Sequence, residues 1–176
     1  MRKHRRLLQI IILSAVVLVA AYTLWGNVQD GNSQAEAKVG HQAIDFNLQG
    51  LDGQMHSLAD YKGKPMVVNF WGSFCEPCVR EMPLIQKYYE QYQDQGVAFI
   101  GINLDEPTVT VQSFVNEVKV TFPILLDRNI VSKQYGVVSY PTTFFIRPDG
   151  QIAYKFIGEM QDQDVKMRLE ALRSAN

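Results

Sequence analysis

Apolar positions along the chain fall into a few distinct rhythms. Residues 7–24, LLQIIILSAVVLVAAYTL, are apolar all round, with Gln9 the one strongly polar side chain. As a helix this run spans roughly 27 Å, close to the hydrocarbon thickness of about 30 Å. Asn27 to Lys38 is small, polar and aperiodic, the composition of a linker. From Val39 onward the rhythms are those of a folded domain. Ile44 to Leu48 alternates, Asp52-Gly53 is a turn, and Met55 to Leu58 returns, which predicts a hairpin. Met66 to Phe70 is short and almost wholly apolar, as in a strand buried on both faces.

Cys75, Cys78, Met82, Ile85, Tyr89 and Tyr92 recur every three or four residues and predict an amphipathic helix that Gly96 ends and Pro83 kinks. Val97–Leu104 reads as the next strand, Val109–Val118 as a helix and Phe122–Leu126 as a strand. A short helix over Ile130–Tyr135 closes at Gly136. Thr142–Ile146 and Ile152–Ile157, joined by Arg147-Pro148-Asp149-Gly150, predict a second hairpin, and Gln161–Arg173 a last helix. Strands alternating with helices, then a hairpin and a closing helix, predict an α/β fold: a mixed sheet flanked by helices, with an added N-terminal hairpin.

Charge sharpens the reading of the first residues. The 176-residue chain has 17 Lys and Arg against 18 Asp and Glu. Four of the bases, Arg2, Lys3, Arg5 and Arg6, precede the apolar run, so the remainder is net acidic. An acidic body disfavours nucleic acid as a partner, because binding to phosphate backbones comes mainly from Lys and Arg. Positive charge before the run and none after it until Lys38 predicts a single-pass protein of the cell membrane. Residues 1–6 form a cytoplasmic tail, 7–25 a transmembrane signal-anchor with Trp25 at the interface, 26–38 a linker, and 39–176 an extracytoplasmic domain. A cleaved signal peptide is the rival, since Val19, Ala20 and Ala21 are small or β-branched residues near the end of the run. The run exceeds the 7–15 residue apolar core usual in such peptides.

Cys75 and Cys78 are the only cysteines, too few for a disulfide scaffold or a four-cysteine zinc site. They lie in Phe70-Trp71-Gly72-Ser73-Phe74-Cys75-Glu76-Pro77-Cys78, where a strand passes into a helix. A thiol on the first helical turn faces unpaired N–H groups and the positive end of the dipole, which favour the thiolate. Cys75, nearer the tip, is the expected attacking group, and Cys78 the thiol that closes the ring and releases a bound substrate. Pro77 costs no hydrogen bond where the helix leaves donors unused. Glu76 has two readings: it steadies the first turn, or it opposes thiolate formation and makes the pair harder to reduce.

The motif WGSFCEPC, the later Ser139-Tyr140-Pro141-Thr142-Thr143-Phe144 and the opening Val39-Gly40-His41-Gln42-Ala43-Ile44-Asp45-Phe46 together resemble the thioredoxin superfamily. Over residues 39–174 the chain is similar to the membrane-anchored ResA-like reductases of cytochrome c maturation. The resemblance implies a thioredoxin-like sheet, catalysis by Cys75 and Cys78, and a role for Glu81 in tuning or relaying their protons. It implies that Pro141 is cis and, with Trp71, Phe74, Glu76, Pro77 and Tyr140, forms the surface that meets the substrate. It implies a protein disulfide as substrate, apocytochrome c before haem attachment, a membrane thiol donor, no cofactor, and a monomer. In the central strand this chain has Asn69 where cytosolic thioredoxins carry an aspartate; an amide accepts no proton, which leaves Glu81 as the acid or base.

Other classes fit less well. A disulfide oxidase or isomerase of the same fold would use the same residues. A C-x-x-C metal chaperone needs further ligands, yet His4, His41 and His56 all precede the motif, and His41 and His56 read as surface residues around the first hairpin. A structural disulfide closing so short a loop removes little chain entropy. A peroxidase of the peroxiredoxin kind wants a hydroxyl residue three before the attacking cysteine, where Gly72 stands. Tyr88, Tyr89 and Tyr92 read as helix packing, and Asp105-Glu106-Pro107 as a loop and helix cap.

Overall fold

The computed structural model describes residues 12–19 and 37–174. The chain divides into two units, residues 1–34 and 35–176. In the first, residues 12–19 are helical. Among the described residues no helix is long and apolar enough to cross a membrane. The rest of the tail, of the signal-anchor and of the linker lies outside the described residues, apart from Ala37 and Lys38.

The second unit is built on a seven-stranded sheet: β1 (Asn47–Gly50), β2 (Met55–Ser57), β3 (Met66–Trp71), β4 (Ala98–Leu104), β5 (Ile124–Asp127), β6 (Thr142–Ile146) and β7 (Ile152–Ile157). Their order is β2-β1-β5-β4-β3-β6-β7. The strands β3, β4 and β5 run parallel, with β6 antiparallel to β3 and β7 to β6, and the first hairpin joins the far edge through Gln49 opposite Leu126. Four helices follow from the chain between: α1 (Glu76–Tyr92), α2 (Thr108–Val118), α3 (Val131–Gln134) and α4 (Asp162–Ser174). This is the mixed, helix-flanked sheet with an added hairpin that the sequence predicts.

Alternation along β3 sorts its side chains to two faces. Val67 and Trp71 enter a core with Met82 and Ile85 of α1, Val111 of α2 and Leu169 of α4. Met66, Val68 and Phe70 enter the opposite core with Val131 of α3, Tyr135, Phe144 and Phe46. All six residues of β3 are buried, which is why its pattern is continuous rather than alternating. Ala37 is buried in the second core, so the fold reaches into the segment read as linker. The small apolar side chain is what the polar composition around it concealed.

Pro83 sits inside α1, which remains helical from Glu76 to Tyr92. A one-turn 3-10 segment follows, and Gly96 ends it at φ 82°, a left-handed conformation glycine adopts without a Cβ penalty. The tyrosines pack as expected: Tyr89 meets Phe99 and Phe122 edge-on, and Tyr88 lies against Tyr92. His41 is exposed, whereas His56 is partly buried between the Asp52 carboxylate at 3.0 Å and the Tyr61 hydroxyl at 2.9 Å.

Candidate active site

The chain leaves β3 at Trp71, turns through Gly72-Ser73-Phe74, and enters α1 with Cys75 as N-cap and Pro77 in the first turn. Cys75 and Cys78 are joined by a disulfide with their Cα atoms 5.2 Å apart. The Cys78 N–H points at Cys75 Sγ at 3.3 Å, one of the donors a helix start leaves unused. Cys78 is 1% exposed while Cys75 is half-buried, so the first sulfur is the accessible one. That is the asymmetry an attacking and a resolving thiol require.

Glu81 lies one helical turn beyond Cys78 and is buried, 1% exposed. Its Oε2 accepts from Asn69 Nδ2 at 3.2 Å and its Oε1 from the Met160 N–H at 2.8 Å. Burial penalises the charged form and pushes its pKa up to about 7, opposed by the two hydrogen bonds. Asn69 stands on the same face of β3 as Val67 and Trp71, the face α1 covers, and its amide also donates to Thr143 Oγ1 at 2.8 Å. A carboxyl group pushed up to about 7, one helical turn from Cys78, can take up or deliver a proton during exchange.

The second loop of the site precedes β6. The Tyr140–Pro141 peptide is cis, as the resemblance implies. Phe74 is 66% exposed and meets the Tyr140 ring edge-on at 6.3 Å, so these two form an apolar surface on the rim. Glu76 is exposed and Pro77 half-buried beside Cys75. Trp71 is a correction: its ring is fully buried in the core, tilted against Phe114 at 5.1 Å, and offers no face to a substrate. It is the last residue of β3, and the alternation that places Val67 inward places Trp71 inward too.

Glu76 donates no isolated charge to the site. Arg80, one turn on, reaches it with Nη1 at 2.8 Å, and forks onto Glu159 through Nη2 at 2.7 Å and Nε at 3.1 Å.

Glu106, which the sequence places in a loop and helix cap, has a further role. Its carboxylate accepts from the Ser73 N–H at 2.7 Å, from the Ser73 hydroxyl, and from Asn103 Nδ2 at 2.7 Å. It thus braces the turn that carries Phe74 and Cys75 from the loop that follows the neighbouring strand β4. Pro107 is the N-cap of α2. The signal available in the sequence was a carboxylate directly after a parallel strand, at the end where ligands and catalytic loops gather. Among the described residues no group of three or more His, Cys, Asp or Glu is placed to hold a metal ion.

A redox-active-type C-x-x-C at a helix start, a cis-proline loop and a thioredoxin-like sheet define a thiol-disulfide oxidoreductase. The model of the AhpC/TSA family matches residues 39–155. The thiol-disulfide oxidoreductase ResA of Geobacillus thermodenitrificans is 38% identical over 175 residues, covering 98% of this chain and 99% of that one. ResA of Halalkalibacterium halodurans is 37% identical over 173 residues, covering 98% and 97%. The crystal structure of StoA from Bacillus subtilis superposes with a TM-score of 0.64 at 29% identity, over 72% of this chain and 97% of that one. A crystal structure from Chlorobium tepidum, assigned by name to the thiol:disulfide interchange protein DsbE, does so with a TM-score of 0.74 at 26% identity, over 78% and 99%. The chain belongs to the AhpC/TSA family and to the ResA-like thiol-disulfide oxidoreductases of the thioredoxin fold.

Proposed function

We propose that this oxidoreductase is anchored in the cell membrane by residues 7–25, with its N-terminus cytoplasmic, and reduces disulfides of apocytochrome c on the extracytoplasmic side before haem is attached. The observation that carries the exchange chemistry is the half-buried Cys75 sulfur over a buried Cys78 and Glu81. In the reduced protein the Cys75 thiolate attacks a substrate disulfide, forms a mixed disulfide and expels one substrate thiolate. Cys78 gives its proton to the Glu81 carboxylate and attacks Cys75 Sγ. The second substrate thiolate leaves, two electrons have passed to the substrate, and the Cys75–Cys78 disulfide remains. Because the compartment outside the membrane is generally oxidising, a membrane thiol donor must return the two electrons.

Phe74, Tyr140, Pro77 and Glu76 form the accessible rim that meets the substrate strand, while the Pro141 ring is buried next to Tyr140. Docking by a backbone strand beside Pro141 is the part of the reading that rests on the resemblance. Apocytochrome c as substrate rests on it too, supported by relatives named ResA over nearly the whole chain.

Two measurements test the proposal. The equilibrium reduction potential of the pair in the full chain, titrated against dithiothreitol or glutathione, is expected near about -270 mV or lower. A value near about -120 mV identifies an oxidant that installs disulfides, and the reductive assignment falls. Amino-terminal sequencing of the membrane fraction is expected to begin at Met1; a start at Tyr22 refutes the anchor.

A further inference from the structure

Three successive residues after β7 tie the parts of the site together. The Gly158 N–H donates to the Pro141 carbonyl at 2.8 Å, with Gly158 at φ 101°, a conformation that favours glycine. The Glu159 carboxylate receives the Arg80 fork, through Nη2 at 2.7 Å and Nε at 3.1 Å. The Met160 N–H donates to Glu81 Oε1 at 2.8 Å. One short segment therefore touches the cis-proline loop, the outer face of α1 and the buried carboxylate; the Met160 side chain is buried in the core, and the Arg80–Glu159 pair is the segment's side-chain clamp on the solvent side. Arg80 is the residue directly before Glu81, so the fork and the Met160 bond grip the same turn of α1 from outside and inside.

We propose that Glu159 is a positioning residue for exchange: held by Arg80, it keeps the Gly158–Met160 segment seated so that the Met160 N–H stays on Glu81 Oε1. The inference rests on the reading of Glu81 as the proton-handling group. It adds a specific role for an exposed ion pair whose direct stabilising effect is small. An amide donor on a carboxylate favours the charged form, so its loss raises the proton affinity of Glu81. Removing the Glu159 charge acts the other way, because it takes a negative group away from Glu81 and leaves Arg80 paired with Glu76 alone. Positioning and plain charge thus predict opposite signs for one substitution. The groups that bear on Glu81 are few: Asn69 from β3, the Met160 amide and Glu159 from the segment after β7, and Arg80, Glu76 and the two cysteines around its own helix.

The test is Glu159→Gln in the oxidised full chain, where the disulfide leaves the cysteines unable to titrate. The Glu81 midpoint is read from carboxyl carbon-13 shifts, and hydrogen exchange is followed at the Met160 amide. An upward shift of the Glu81 midpoint by half a unit or more, about threefold in proton binding, is expected together with faster exchange at Met160. Arg80→Gln should move both readouts in the same direction, and Arg80→Lys, which keeps the charge but loses the fork, should do so in part. A midpoint that stays put or falls, or a Met160 amide that exchanges as in the parent, overturns the proposal. Failure of the Glu81 reading itself shows separately, as a pH profile of cysteine alkylation that Glu81→Gln leaves unchanged.

Discussion

Asn69 and Glu81 meet inside the protein, amide nitrogen to carboxylate oxygen at 3.2 Å, although both side chains are 1% exposed. The contact joins the buried strand β3 to the helix that carries the cysteines. An aspartate at position 69 would place two carboxyl groups at this distance and raise the proton affinity of one of them strongly. With Asn69 as a donor, Glu81 is the one carboxyl group at this contact, and its ionised form keeps two hydrogen bonds.

This makes Glu81 a source of pH-dependent stability with a definite sign. Its folded pKa, about 7, lies above the unfolded value of 4.5. Below about 4.5 the group is protonated in both states and adds no slope. Between these values the folded protein holds a proton that the unfolded chain has lost, so stability falls as pH rises; above about 7 it levels off. The shift corresponds to about 3 kcal/mol. Urea unfolding of oxidised Glu81→Gln and of the parent at pH 4.5 and pH 8 should therefore show the variant gaining about 3 kcal/mol relative to the parent at the higher pH. A relative stability independent of pH would remove Glu81 from the titration.

Exposure of the two sulfurs assigns separate outcomes to their variants. Cys75→Ser should abolish exchange with a disulfide substrate, whereas Cys78→Ser should accumulate a mixed disulfide on Cys75, because the resolving thiol is gone. Mass spectrometry of the trapped species identifies the linked cysteine. Faster alkylation of Cys78 than of Cys75 in the reduced protein would reverse the roles.

Most of the fold was legible because the two relevant periods are strong. The β3 run, the Cys75–Tyr92 stripe and the hairpin at Arg147–Gly150 each carry their own local signal. The site was legible where its chemistry is local, as at Cys75 and Cys78, or where a family motif supplied it, as at Pro141. What stayed hidden depends on contacts distant in sequence. Glu106 braces Ser73 from the loop after a neighbouring strand, and Met160 reaches Glu81 through a backbone N–H that every residue type but proline possesses. Trp71 reads as surface only by association with the exposed Phe74 and Glu76 of its motif; strand alternation turns its own ring inward.

Glu106 should matter for the order of the active-site turn. Replacing it with Ala leaves the Ser73 N–H, the Ser73 hydroxyl and the Asn103 amide without their shared acceptor. A destabilisation of about 2 kcal/mol is expected, the size for losing hydrogen bonds to a charged group in a partly solvated place. Faster hydrogen exchange at Ser73 and Phe74, with the Met160 amide unchanged, would localise the effect. An unchanged exchange pattern would show that Glu106 does not hold the turn.

Gly101 offers a test of the packing beneath the site. It pairs with Asn69 across β3 and β4, on the face that receives the Trp71 ring. A Cβ there would come within 2.6 Å of Ile124 Cδ1, 3.0 Å of Trp71 Nε1 and 3.1 Å of the Phe122 ring. Two of these neighbours are rigid aromatic rings inside a closed core, so relief requires movement of the indole or the strand. Gly101→Ala should cost about 1–3 kcal/mol, the range for overpacking a well-filled interior. Because Trp71 and Trp25 are the only tryptophans, and Trp25 belongs to the other unit, the difference in fluorescence between variant and parent reports on the buried ring. A stability loss with a shifted Trp71 emission is expected; unchanged stability and emission would mean that the glycine is not needed for the indole to seat under the active-site turn.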